Sequence, residues 1–219
     1  MSRSCKLCDG SRHRWCEDRG GYVPCECLRE KHRTERFQRA GVPTRYDAET
    51  WKTFVATYAV KDVRGLLAVA KELKAGNVEA DWVLVHGRPT RARMLAAALM
   101  LRSACEGGLE ARSVDVPKLI DAEFQPGRGK EFYELPVLIV ELGGEPGNKW
   151  NKIVLEKCVH QRWEASLFTM FVVEGEPNRV ASNYKSTRIV QAVSRRFTKV
   201  RLDPKEPQSP HASNGAGDQ

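Results

Sequence analysis

No stretch of this chain approaches the roughly 18 consecutive apolar residues of a membrane helix, and its N-terminus lacks the apolar core of a signal peptide. The first absence argues against a spanning helix. The second sets the expectation of a cytoplasmic protein. Acidic residues are too few to balance the basic ones: 36 Lys and Arg face 28 Asp and Glu, a formal net charge of +8. That excess favours a polyanionic partner, nucleic acid first. The seven cysteines come with no export signal. In a reducing compartment, clustered cysteines bind metal more often than they form disulfides. With 219 residues, 41% hydrophobic and 29% charged, the chain fits one globular core domain with appendages.

A more specific absence lies in mid-chain. Trp82 to Leu101 reads as a buried strand, Trp82 to Val85, a tight loop opening at His86-Gly87, and a run of strong helix formers from Met94 onward. A strand feeding a helix through a glycine-initiated loop is where a phosphate-binding P-loop sits, with the pattern G-x-x-x-x-G-K-[ST]. The residues here are Gly87-Arg88-Pro89-Thr90-Arg91-Ala92-Arg93-Met94. The first glycine is present. The second is Ala92, whose Cβ resists positive φ. The lysine is Arg93, larger and planar. The hydroxyl residue is Met94, with no oxygen for a phosphate-bound Mg²⁺. A second strand, Pro136 to Leu142, is a near-continuous apolar run ending at Glu141. Val140 stands where a metal-side acid would precede it.

Two strands thus each lack their magnesium-handling group, and ATP with Mg²⁺ is not expected to bind. Gly87, Arg88, Arg91, Arg93 and Glu141 make up a degenerate nucleotide site. Its three arginines either hold a DNA phosphate or other anion without magnesium, or form a solvated loop.

Near the N-terminus, Cys5 and Cys8 form C-x-x-C, and Cys25 and Cys27 form C-x-C. Two closely spaced thiolate pairs suit tetrahedral Zn²⁺. Asp9-Gly10 and Gly20-Gly21 supply turns. So short a segment cannot bury a core, so the metal would supply its folding energy. Cys16 and His13 are spare ligands, and uncoordinated thiols are the bland alternative. The intervening loop is polar, with few aromatic residues. Arg3, Lys6, Arg12, Arg14 and Arg19 decorate the ribbon, which could lie on nucleic acid or dock a protein.

The chain divides into a zinc ribbon (1–28), a basic helix and linker (29–58), an α/β core (59–203) and a polar, Pro- and Ser-rich tail (204–219) expected to be disordered. Leu28 to Ala40 has mixed charges at helical spacing and stops at Gly41 and Pro43. Tyr46, Trp51 and Phe54 are expected to pin an extended segment onto the core. Val60 to Ala75 is an amphipathic helix. Strands at 111–116, 167–173 and 198–202 alternate with helices at 117–124, 150–163 and 186–196, with a loop at 126–130. This repetition implies a parallel, five-stranded sheet with helices on both faces. His86, Cys105, Cys158 and His160 read as structural.

With these residues in view, the chain resembles the DnaC/IstB-like branch of the AAA+ ATPases, which includes helicase loaders and ATP-binding transposition subunits. The resemblance spans about residues 5–203. It rests on Cys5-Lys-Leu-Cys8-Asp-Gly10 with Cys25-Glu-Cys27, and on the phrase Ala40-Gly41-Val42-Pro43-Thr44-Arg45-Tyr46 followed by Thr50 and Phe54. Gly87 to Met94 and Val137 to Gly143 match the two nucleotide motifs in frame. Arg162-Trp163-Glu164 through Val173 matches the sensor region, although the sensor asparagine falls near Glu174. Ser194-Arg195-Arg196-Phe197 is similar to the family's arginine phrase, so Arg195 or Arg196 would act on a neighbouring subunit's nucleotide.

The resemblance implies a P-loop NTPase, AAA+-like fold and a replication or transposition setting. The departures imply a noncatalytic adaptor. Its partners would be a replicative helicase, an active AAA+ sister subunit or single-stranded DNA, with assembly as a homo- or hetero-oligomer. The alternatives are an atypical but active ATPase loader using Arg93 and Glu141, and a zinc-stabilised nucleic-acid-binding protein unrelated to helicase loading.

Overall fold

The structure is a computed structural model describing residues 5–46, 48–60, 63–87, 90–143, 149–176 and 197–204. The expected helix at 186–196, including Arg195 and Arg196, lies outside the described residues, as do Arg88 and the tail beyond Pro204.

The chain starts with a two-stranded antiparallel hairpin, β1 (His13–Cys16) and β2 (Gly21–Pro24), joined through a single turn of 3-10 helix. Helix α1 (Glu26–Arg39) follows directly and has no buried residue. It starts before the expected Leu28 because Cys25 serves as its N-cap, so the second cysteine pair is built into the first turn.

Helix α2 (Trp51–Thr57) replaces the extended segment read from the sequence. Thr50 and Thr53 form a reciprocal capping box, each side chain bonding the other's backbone N–H. The aromatics do pin this piece down. Phe54 is fully buried, and the Trp51 indole N–H donates to Ser103 Oγ at 3.2 Å.

The core continues as β3 (Tyr58–Val60), α3 (Val63–Lys74), β4 (Trp82–Gly87), α4 (Thr90–Glu106), β5 (Ala111–Asp115), α5 (Val116–Glu123), α6 (Arg128–Tyr133), β6 (Val137–Leu142), α7 (Lys149–Glu164), β7 (Phe168–Glu174) and β8 (Phe197–Pro204). Its sheet order is β3-β8-β4-β7-β6-β5. The five strands from β8 to β5 are parallel, as expected. The short strand β3, unanticipated, pairs antiparallel with β8. It occupies an edge that would otherwise present unpaired backbone groups.

Strand alternation splits the core into two apolar layers. Val83 and Val85 of β4, with Val137 and Ile139 of β6, pack with α2, α3 and α4. Trp82 and Leu84, with Leu138 and Val140, pack with α5 and α7. Strands buried on both faces are continuously apolar for this reason.

Arg162 of α7 is completely buried, and among the described residues its guanidinium is met by carbonyl and hydroxyl oxygens rather than by an acid. Its guanidinium donates to the carbonyls of Phe132, Tyr133, Leu135 and Phe168, and to Thr169 Oγ1. Burial pulls its pKa down to about 10, so it remains charged at neutral pH. This one side chain ties α7 to the end of α6, the entry to β6 and the start of β7.

Candidate functional site

At the carboxyl ends of the parallel strands, β4 stops at Gly87 with φ +131°. A Cβ here would lie 2.0 Å from the Leu202 carbonyl oxygen of β8. The glycine is therefore required by the close approach of two backbones, whatever the loop binds. Helix α4 begins at Thr90, earlier than the expected Met94. Only positions 88 and 89 separate strand from helix. Thr90 to Arg93, which would be cradle in a phosphate loop, are already helical.

Ala92 is fully buried, and Met94 packs against the apolar layer. Arg93 is only 5% exposed. Its guanidinium folds back, donating to the Gly87 carbonyl and to Thr90 Oγ1 at 3.2 Å. Burial holds its pKa below the ordinary arginine value, with the Glu174 carboxylate acting in the opposite sense.

The degenerate-site residues among those described sit in different surroundings. Arg91 is exposed and weakly paired to Glu49 at 3.8 Å. Together with Arg45, Tyr46, Thr90 and Met94 it lines an open groove. The Arg45 guanidinium sits over the Tyr46 ring, 4.9 Å from its centroid. Glu141 is separated from Gly87 by the whole of β7. Its carboxylate accepts from Ser113 Oγ at 2.7 Å.

Beside the loop, the buried His86 places Nδ1 3.9 Å from Glu176, and among the described residues that nitrogen has no hydrogen-bond partner. Glu176 also lies 3.5 Å from Arg201, which in turn pairs with Asp203. Burial lowers the His86 pKa; Glu176 pulls it up and Arg201 down. Sequence reasoning passed over this charged chain because its members sit on three separate strand ends.

The four N-terminal cysteines do converge. Cys5, Cys8, Cys25 and Cys27 place their sulfurs within 4.8 Å of one another. Cys5 and Cys25 are 3.9 Å apart, and Cys8 and Cys27 are 3.5 Å apart. A tetrahedron with metal–sulfur bonds of about 2.3 Å has edges of roughly 3.8 Å, so the set fits one ion.

The local chain explains the convergence. Asp9 N donates to Cys5 O at 2.8 Å, folding the first pair into a knuckle. Cys25 N donates to Arg12 O at 2.8 Å, bringing the second pair across the hairpin. Placing the second pair at the N-terminus of α1 favours thiolates. The Cys8 pKa falls to about 7: burial opposes the change, but hydrogen bonds from Cys27 and from the Arg12 and Gly10 backbones outweigh it. Cys27 rises to about 12, first through its bond to Cys8 and then through burial. Neither Cys16 nor His13 joins the cluster; His13 Nδ1 is instead 3.3 Å from Ser11 O.

The ribbon also carries what the sequence reading missed. Trp15 and Tyr22 are register partners on the hairpin, 57% and 75% exposed, in an edge-to-face pair with centroids 5.4 Å apart. His13 and Pro24 extend the same exposed face. The period-two placement of His13 and Trp15, and of Tyr22 and Pro24, was the available signal.

No protein-family model matches the sequence, and neither does any curated protein. Solved structures do. A crystal structure of the DnaC helicase loader is 18% identical with a TM-score of 0.58, covering 74% of this chain and all of that one. A crystal structure of DnaI is 15% identical with a TM-score of 0.54, covering 65% of this chain and 82% of that one. The sheet, the flanking helices and their order are therefore those of the DnaC-like P-loop fold.

Proposed function

We propose that this chain is a noncatalytic, helicase-loader-like adaptor. In this reading it has kept the DnaC-like scaffold and lost magnesium-nucleotide chemistry. The observation that carries the reading is Arg93. It lies inside a helix that begins at Thr90 and directs its donors at Gly87 and Thr90, where a loader's lysine would meet phosphate. Met94 and Val140 offer no oxygen to Mg²⁺.

The ribbon's metal is Zn²⁺, which four thiolates in a tetrahedron favour. The exposed Trp15–Tyr22 face is the docking element for a replicative helicase or an active AAA+ sister subunit. Amphipathic aromatics are typical interface anchors. The net charge of +8 suits a complex that also contains DNA. The adaptor acts in the cytoplasm, and Arg195 or Arg196 reaches a sister subunit's nucleotide.

Calorimetric titration of ATP with and without Mg²⁺, paired with affinity capture on the tagged full chain, tests this. Capture of a hexameric helicase without magnesium-dependent ATP binding supports the adaptor. Tight Mg-ATP binding with turnover identifies an active loader instead. Recovery of nucleic acid alone removes the helicase connection.

A further inference from the structure

The ribbon reaches the core through a single helix. Among the described residues, no hydrogen bond or ion pair joins residues 5–24 to anything beyond Cys25 and Cys27. Cys25 caps α1 and Cys27 lies in its first turn, so whatever moves the ribbon pulls on the helix. With 14 residues, α1 is about 21 Å long. Pairs such as Arg33–Glu30 at 2.5 Å and Lys31–Glu35 at 3.6 Å stiffen it along its length. None of its own residues is buried, so it behaves as a rod fastened at its far end rather than as a core element.

The fastenings lie at the C-terminal end of α1. Ser113 N donates to Ala40 O at 3.4 Å, and Arg39 is 3.6 Å from Glu110. The third fastening leads elsewhere. The Phe37 ring lies under the guanidinium of Arg102 on α4, 5.2 Å from its centroid. The same guanidinium donates to the Tyr46 carbonyl at 2.8 Å and to the Glu49 carbonyl at 2.5 Å. Glu49 N closes this piece of the linker by donating to Tyr46 O at 3.1 Å. One side chain therefore joins α1 to the linker. The Glu49 carboxylate in turn accepts from Thr53 Oγ1 at 3.1 Å and stands 3.8 Å from Arg91. That spacing is at the outer edge of ion pairing, so a small displacement of Glu49 makes or breaks the pair. Arg91 and Arg45 are the cations of the open groove beside Tyr46, Thr90 and Met94.

We propose that Arg102 is a positioning residue that couples α1 to this groove, so that a displacement of the ribbon is read as a change in the Arg91–Glu49 pair. A planar guanidinium can stack on a ring while its fork grips two carbonyls; an ammonium cannot do both. The element with two arrangements is the Glu49 carboxylate, held by Thr53 alone or by Thr53 and Arg91 together. Such coupling is reciprocal, so an anion that competes for Arg91 would bias the ribbon in return. No covalent bond is made or broken. The proposal rests on the adaptor reading only for what loads the ribbon.

The test is a double-mutant cycle on the full chain, read by amide NMR. Cys27→Ser loosens the ribbon from the first turn of α1. It is expected to move the amide signals of Tyr46, Glu49, Thr90 and Arg91 while those of β4, β6 and β7 stay in place. In a Phe37→Leu background, the same Cys27→Ser change should lose most of that movement, because leucine keeps the apolar packing and removes the ring. An Arg102→Lys background should lose it too, since the charge remains and the fork does not. Still groove signals in Cys27→Ser, or equal movement in all three backgrounds, would overturn the proposal. So would movement that spreads to β4, β6 and β7, because that marks a general loosening of the core. Capture of a helicase tests the adaptor reading separately: it can fail while the groove signals still respond, and succeed while they do not.

Discussion

In the ribbon, Trp15 and Tyr22 stand in solvent, and the buried side chains belong to Cys8 and Cys25. In the core, every residue of β4 is buried, and two apolar layers close over both faces of the sheet. The ribbon has large apolar groups and does not bury them; the core buries even a guanidinium, Arg162, and satisfies it with carbonyls. The core is therefore held by packing. In the proposed reading an ion on the four clustered sulfurs holds the ribbon, and the exposed aromatics are left for a partner.

Metal removal should separate the two regions most sharply. Structural zinc contributes apparent free energies of about 10–16 kcal/mol in small domains. Chelation, or Cys8→Ser, should therefore collapse the hairpin amides in an NMR spectrum while the β4, β6 and β7 amides stay in place. Loss of core signals along with the ribbon would break the comparison. The reciprocal experiment is Arg162→Ala. It strands four carbonyls and a hydroxyl in the interior and should cost about 3–5 kcal/mol in denaturant unfolding. Zinc content per folded chain should not change.

A smaller effect concerns pH. His86 has a folded-state pKa lowered by burial, so the unfolded chain binds the extra proton more readily. Its contribution to stability is complete above the ordinary imidazole value of about 6.5 and is lost as pH falls below it. Melting curves across this range should show His86→Gln losing less stability on acidification than the wild type. Equal slopes would remove His86 from the account. The smallest stability change is expected for Trp15→Ala combined with Tyr22→Ala, within about 0.5 kcal/mol, because the pair is exposed. The same double variant should abolish capture of the helicase partner, and normal capture would show that this face is not the docking surface.

These contrasts also explain what the sequence disclosed. Strands buried on both faces leave an unbroken apolar run, so β4, β6 and β7 could be read directly. Thr50 to Thr57 was harder to read. Its helix is short and holds Thr53, Val55 and Thr57, and it is stabilised by a capping box between two threonines. Helix α4 starts earlier than a P-loop pattern over Gly87 to Met94 predicts, because Ala92 and Arg93 suit a helix well. Strand β3 covers three residues and depends on a partner at the far end of the chain, which no local pattern reports. Helix α6 gives an equally weak local signal, since it is short and starts after Gly127 at φ +78°.

For the candidate site, residue types were legible and orientations were not. The cysteine spacing announced a four-sulfur cluster. Nothing in the sequence told that Arg93 turns inward, because that depends on which neighbours the fold delivers. The buried Arg162 was visible only as part of a phrase, since a charged residue on an apolar helix face gives no periodic signal.

The most direct test of the central claim is the zinc and nucleotide content of the full chain purified without chelator, followed by a turnover assay. One zinc per chain, no co-purifying nucleotide and no magnesium-dependent hydrolysis is the predicted result. Stoichiometric ADP or ATP, with hydrolysis abolished by Arg93→Ala or Glu141→Gln, would contradict it.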